Sequence, residues 1–298
     1  EHCIIPRWCK KLKFKEIEGR LYCPYCFDYL SNPPKREVLQ NEWKSYLNEL
    51  IKKRRNEEYQ GVFAYSGGKD STVGLYLVNR FFREKNARLL AFTIDHGFKG
   101  EKVWENIQRV TDYLSIDWLK IDMSGYRDLF IKEIFNKTFP CDSVCKRVKS
   151  EAYKMIAKKY SLDSIISGHD AVINNSIINR KYDIPIYGSI AGYGLNEEEV
   201  IRLIKKYDIP WKDPGYGEFD SDCLVPGVVF GLLTNWKNRI TWEEVVNNSQ
   251  LSLIMEYLAY KVRTGSLGRK KAIRKLLNPS HMSKEAIEEF EKIAGKKV

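Results

Sequence analysis

The chain has 298 residues, 43% of them hydrophobic and 30% charged, with a formal net charge of +11. That is enough for one large domain or two ordinary ones with a real core. No uninterrupted apolar stretch nears the roughly 18–20 residues of a membrane helix, and no signal peptide is visible, so a cytoplasmic, soluble protein with no membrane partner is expected.

Residues 1–32 carry four of the seven cysteines, at positions 3, 9, 23 and 26, and little apolar surface. Such a segment cannot bury a core alone, and a metal would supply the missing stability. "SNPPKRE" (31–37) breaks the chain. Residues 38–58 then read as a charged helix with Leu39, Trp43, Leu47 and Ile51 on one face. From 61 the pattern alternates. Strands are expected at 61–65, 88–95, 116–122 and 163–168, and helices at 70–84, 101–114 and 146–160. This alternation predicts an α/β fold, a parallel sheet with helices on both faces. "NEEEVIRLIKKYDIP" (196–210) has an Asn cap, early acids, late lysines and a proline stop, so it is a further helix. Residues 211–227 read as a loop, and the remainder as mostly helical.

The densest motif is "AYSGGKDSTVGLYLV" (64–78). It follows a strand and opens a helix. Glycines let the backbone approach an anion, and free N–H groups at a helix start bind phosphate. Ser66, Ser71 and Thr72 add donors and Lys69 adds charge. Asp70 suits a magnesium ion carried by the phosphates. The spacing is not that of the Walker loop. "SGGKDS" resembles the pyrophosphate loop of the N-type ATP pyrophosphatase (PP-loop) superfamily. The resemblance implies a Rossmann-like fold that binds ATP and Mg²⁺, adenylates a carbonyl oxygen, and releases pyrophosphate and later AMP. It implies phosphate and nucleotide contacts at Ser66, Gly67, Gly68, Lys69, Asp70, Ser71 and Thr72. It adds Asp95 in "FTIDHGF" and Gly168 and His169 in "ISGHDA", with Asp170 as a metal or phosphate contact.

Cys141 and Cys145 in "FPCDSVCKR", with Cys223 in "FDSDCLVPG", are similar to the cysteines of PP-loop tRNA-thiolating enzymes. Three thiolates there imply a [4Fe–4S] cluster with one open iron, or else a persulfide. Buried apolar cysteines are the bland alternative. The spacing here, Cys-x-x-x-Cys, departs from the family's Cys-x-x-Cys. At the N-terminus "CPYC" (Cys23, Cys26) is a zinc-knuckle signature, with Cys3 and Cys9 as the looser half of a structural zinc site and His2 as a substitute ligand. This resemblance implies a tRNA sulfurtransferase with tRNA and a persulfide or sulfide carrier as partners, a homodimer being allowed.

"CIIP", "EGRLYCPYC" and the tail "EYLAYKVRTGSLGR" are also similar to N-acetyl sugar amidotransferases of the same superfamily. Those convert an acetamido to an acetamidino group with ammonia from a glutaminase subunit. The basic tail, with Lys261, Arg263, Arg269, Lys270, Lys271, Arg274 and Lys275, suits phosphates of RNA or of a nucleotide sugar, or is a solvated helix face. Tyr257 and Tyr260 suit base stacking or core packing. The expected organisation is a zinc-ribbon-like module (1–32), a helical connector (33–59), a PP-loop domain (60–227) and a helical C-terminal region (228–298).

Overall fold

The computed structural model describes residues 3–6, 9, 13–31, 33, 35–141, 143–169, 176–216, 222–265 and 267–298. His2 and Asp170 lie outside these. A short hairpin opens the chain, with β1 (Lys15–Ile17) antiparallel to β2 (Arg20–Tyr22). It feeds α1 (Pro24–Ser31) and then α2 (Arg36–Lys53). Helix α2 buries Leu39, Trp43, Leu47 and Leu50. Ile51, expected on that face, is only partly buried, because Leu50 completes the stripe.

The alternating section follows: β3 (Gly61–Ala64), α3 (Lys69–Glu84), β4 (Leu89–Asp95), α4 (Glu101–Leu114) and β5 (Asp117–Asp122). After a 3₁₀ turn come α5 (Arg127–Phe135), α6 (Val144–Tyr160) and β6 (Ile165–Ser167). Two further strands, β7 (Ile178–Asn179) and β8 (Ile186–Gly188), precede α7 (Ser189–Tyr193) and α8 (Glu197–Lys206). Helix α8 starts at a full capping box between Asn196 and Glu199. The sheet order is β5-β4-β3-β6-β8-β7, parallel except for β7 against β8. Strands β3 and β6 and the first five residues of β4 are almost wholly buried, as expected of strands covered on both faces.

The last helices are α9 (Val225–Thr234), α10 (Trp242–Asn247), α11 (Ser249–Arg263), α12 (Arg269–Leu277) and α13 (Lys284–Ala294). The loop expected through 227 ends earlier, because Pro226 sits in the first turn of α9, where a missing N–H costs nothing. Two hydrophobic cores result. One holds the sheet with α2 and the flanking helices. The other joins the N-terminal Ile4, Ile5, Cys9, Cys23 and Cys26 to Phe230, Val245, Leu258, Ala259 and Leu276 of the C-terminal helices. The N-terminal segment thus borrows its core from the far end of the chain.

Candidate active site

The strand order reverses at β3, whose neighbours β4 and β6 lead to opposite sides of the sheet. Ligands in open α/β sheets bind beyond the carboxyl ends of the strands at such a point. The loop after β3 lies there. Gly67 takes φ +88°, a left-handed conformation, and Gly68 returns to an extended one as the N-cap of α3. Gly68 offers no side-chain cap, and a helix start without one is suited to an anion. Ser66 Oγ and Ser71 Oγ lie 2.8 Å apart, and Ser71 Oγ donates to Gly68 O at 3.0 Å. These bonds hold the loop in shape before any ligand arrives. The Lys69 ammonium meets Asp70 at 3.2 Å. Burial opposes the charge on Lys69, but Asp70 and Glu197 outweigh it and hold its pKa above the ordinary lysine value.

A cavity of about 450 Å³ opens beside this loop. Its wall includes Ser66, Gly68, Lys69, Asp70 and Ser71 from the loop, and Gly168 and His169 from the end of β6. Cys141, Cys145 and Cys223 line the same cavity. Cys141 lies just before α6, Cys145 in its first turn, and Cys223 just before α9. Cys145 N donates to Pro140 O at 2.8 Å, which folds the two-cysteine segment back onto the helix start. Gly168 is required for packing: a Cβ there would stand 2.2 Å from Ser71 Cα. His169 Nδ1 pairs with Ser167 Oγ at 2.6 Å.

Other sequence candidates sit elsewhere. Thr72 is fully buried, its hydroxyl 3.0 Å from Tyr65 OH. Gly67 is not in the cavity wall; its carbonyl accepts from Trp211 Nε1 at 3.0 Å. Asp95 is also outside the wall, taking Gly97 N at 2.8 Å and Lys120 Nζ at 2.7 Å.

Sequence reasoning missed three polar residues of the cavity: Lys99, Lys149 and His96. Lys99 is buried, and its ammonium donates to Ser66 O at 2.9 Å and to Asp222 O at 3.0 Å, with the Asp222 carboxylate at 3.8 Å. It ties the loop after β3 to the segment bearing Cys223. The Coulomb interaction with Cys145 is the largest influence on Lys149 and holds the lysine pKa well above its usual value. Lys149 is exposed and forms part of the cavity wall. His96 is buried, and burial with Lys99 nearby pushes its pKa down to about 3, so the ring is neutral. Its Nδ1 accepts from Phe98 N at 3.3 Å, which places the ring proton on Nε2. The one local signal was position: His96 and Lys99 follow a strand end, and Lys149 lies one helical turn after Cys145.

The phosphoadenosine phosphosulfate reductase domain family matches residues 60–174. This segment is a PAPS-reductase-like domain of the PP-loop superfamily. Over nearly the whole chain, the uncharacterized protein MJ1599 of Methanocaldococcus jannaschii is 29% identical across 282 residues, 94% of each chain. Among solved structures, the U34-tRNA thiolase NcsA from Methanococcus maripaludis with its [4Fe-4S] cluster aligns at a TM-score of 0.44 and 17% identity, over 87% of this chain and 82% of its own. The phosphoadenylyl-sulfate (PAPS) reductase from Candida auris aligns at 0.41 and 12%, over 60% and 90%. An NH3-dependent NAD synthetase from Campylobacter jejuni aligns at 0.38 and 16%, over 84% and 100%. No helix among the described residues is long and apolar enough to cross a membrane.

Away from the PP-loop domain, Cys3, Cys23 and Cys26 place their sulfurs within 4.8 Å of one another. Cys3 Sγ and Cys23 Sγ are 3.6 Å apart. A tetrahedral zinc with Zn–S bonds of about 2.3 Å separates its sulfurs by about 3.8 Å, so the three thiols fit a mononuclear site. Hydrogen bonds from Cys23 and Cys26 hold the Cys3 thiol far below its usual pKa, while hydrogen bonds with Cys23 and Cys3 push the Cys26 thiol up. Ile5 N donates to Cys3 Sγ at 3.4 Å, and Arg263 Nη1 stands 4.0 Å from it. Cys9 is buried in the same core and is not one of the three grouped sulfurs. Cys141, Cys145 and Cys223 do not meet this close spacing. A cubane cluster, unlike a single ion, holds its thiolates on separate irons and does not need it.

Proposed function

We propose that the protein is an ATP-dependent, AMP-forming enzyme that replaces a carbonyl oxygen of a tRNA base with sulfur. One observation carries this reading: three cysteines from two distant segments line the same cavity as the phosphate loop. An ammonia-using relative has no need of thiols beside its nucleotide, so the cysteines favour sulfur over the amidotransferase alternative.

In this reading, first-turn N–H groups of α3 and the hydroxyls of Ser66 and Ser71 hold the outer phosphates of ATP. Lys69 balances their charge, and Asp70 suits the accompanying Mg²⁺. The substrate's carbonyl oxygen attacks the α-phosphorus, the bond to the β-phosphate oxygen breaks, and pyrophosphate leaves. The loop stabilises the charge building on that leaving group. A sulfide-level sulfur from an external donor then attacks the carbon, and AMP leaves with the former carbonyl oxygen. Cys141, Cys145 and Cys223 would hold three irons of a [4Fe–4S] cluster, whose open iron would present the sulfur. Lys149 keeps positive charge beside Cys145, and Lys99 fixes Cys223's segment against the loop. Cys3, Cys23 and Cys26 would hold a structural zinc.

Single Cys→Ser changes at 141, 145 and 223 test the reading after anaerobic purification, with iron and sulfide measured alongside sulfur incorporation into RNA. Each is expected to abolish incorporation while ATP binding persists. Unchanged incorporation in all three variants would overturn it.

A further inference from the structure

Among the C-terminal helices, α9 and α11 contribute to the cavity wall, through Val225, Pro226 and Tyr257. Helix α11 buries Leu251, Ile254, Met255, Leu258 and Ala259 and turns its other face outward. On that face Leu253 and Tyr257 are each 48% exposed. Tyr257 also lines the cavity, so an exposed aromatic ring stands at the edge of the space where the chemistry occurs. Lys261 Nζ lies 5.2 Å from its ring centroid. Two residues further, the Arg263 guanidinium lies over both Tyr260 (6.0 Å) and Tyr25 of α1 (5.3 Å). Tyr25 OH donates to Glu256 at 3.0 Å. Aromatic and cationic side chains therefore alternate from the cysteine knuckle to the cavity.

Helix α12 runs alongside with Arg269, Lys270, Lys271, Arg274 and Lys275 in nine residues. Lys271 reaches Glu197, at the start of α8, at 3.5 Å. Burial pushes the Glu197 carboxyl up, but Lys69, Lys275, Lys271 and Lys261 outweigh it and hold it below its usual range. The positive field of α11 and α12 is thus continuous with Lys69 of the phosphate loop. Residues 249–277 carry seven Lys and Arg against one Glu, so α11 and α12 are strongly net positive.

An enzyme that modifies a base atom must take that base out of its stack. Single strands are held by aromatic platforms for the bases and cations for the backbone. We propose that the α11–α12 wall binds single-stranded RNA, with Tyr257 stacking on the base to be modified and Lys261, Lys271 and Lys275 holding flanking phosphates. This rests on the RNA reading above and gives it a surface. An apolar partner helix is a poorer fit, because the aromatic rings on this face are interleaved with charge.

The test is fluorescence anisotropy with a labelled uridine-rich single strand and a duplex of equal length, at several salt concentrations, on the full chain. The single strand should bind more tightly than the duplex. Tyr257→Ala should weaken single-strand binding roughly 5- to 150-fold, while Tyr257→Phe, which keeps the ring, stays within about twofold. The Lys261→Gln/Lys275→Gln pair should reduce the slope of log affinity against log salt by about 1.4. Thermal midpoints of all variants separate lost binding from lost folding. Equal affinity of Tyr257→Ala and wild type overturns the proposal, as does preference for the duplex. A wild-type chain that binds neither RNA overturns it together with the RNA substrate. Tyr257-dependent binding without sulfur incorporation leaves this surface standing and removes the sulfur chemistry.

Discussion

At the residue scale, Lys99 is the side chain on which the most depends outside the loop itself. A buried ammonium needs partners, and Lys99 finds them in two carbonyls and a carboxylate from segments more than a hundred residues apart. Lys99→Met leaves Ser66 O and Asp222 O without their donor, at about 1–3 kcal/mol. Urea denaturation should show that loss, and turnover should fall further than ATP affinity, because Cys223's segment is released while the loop remains. Equal falls in both would show that Lys99 serves only the loop. His96 gives a pH prediction. Its folded pKa of about 3 lies below the ordinary value of 6.5, so the unfolded state binds the proton first as pH falls. Stability is therefore lost between about pH 6.5 and 3, with a slope of up to about 1.4 kcal/mol per pH unit from this group. Lys99, Lys149, Asp95 and Asp222 act on the same ring. His96→Gln should flatten that part of the curve of thermal midpoint against pH.

At the element scale, the site is made where the end of β6 meets the first turn of α3. Gly168 permits that contact, since any Cβ would press on Ser71 backbone. Gly168→Ala is therefore expected to lower the thermal midpoint and to remove nucleotide binding measured by calorimetry. A variant that melts lower yet binds ATP normally would separate packing from the site. The strands β3, β4, β5 and β6 and the helices α3, α4 and α6 were legible because each carries apolar residues at its own period. The strands β7 and β8 were not. They are two and three residues long, and what makes them strands is pairing with each other and with β6, which no local pattern encodes. The 3₁₀ turn and α5 were missed for a related reason: only Phe130 and Ile134 are buried there.

At the scale of the whole molecule, the two ends of the chain share a core, and Arg269 Nε donates to Cys3 O at 3.0 Å across 266 residues. Loss of a zinc held by Cys3, Cys23 and Cys26 is then expected to loosen α11 and α12 as well. Hydrogen exchange after chelation, or in a Cys26→Ser variant, should speed up in residues 249–277 and leave β3 and β4 protected. Uniform exchange across the chain, or none at all, would contradict that coupling. The sequence by itself determined the parallel α/β sheet and the glycine-bearing turn between β3 and α3, because hydrophobic period and backbone freedom are local properties of a few neighbouring residues. It also determined the pairing of Cys23 with Cys26, set by a turn of two residues. Only the tertiary structure decided that Cys141, Cys145 and Cys223 would meet the loop in one cavity, that Lys99 would bridge them, and that Tyr257 would stand at the mouth. Those relations join residues tens to hundreds of positions apart, and they exist only once the sheet order has brought distant strand ends and helices to the same edge.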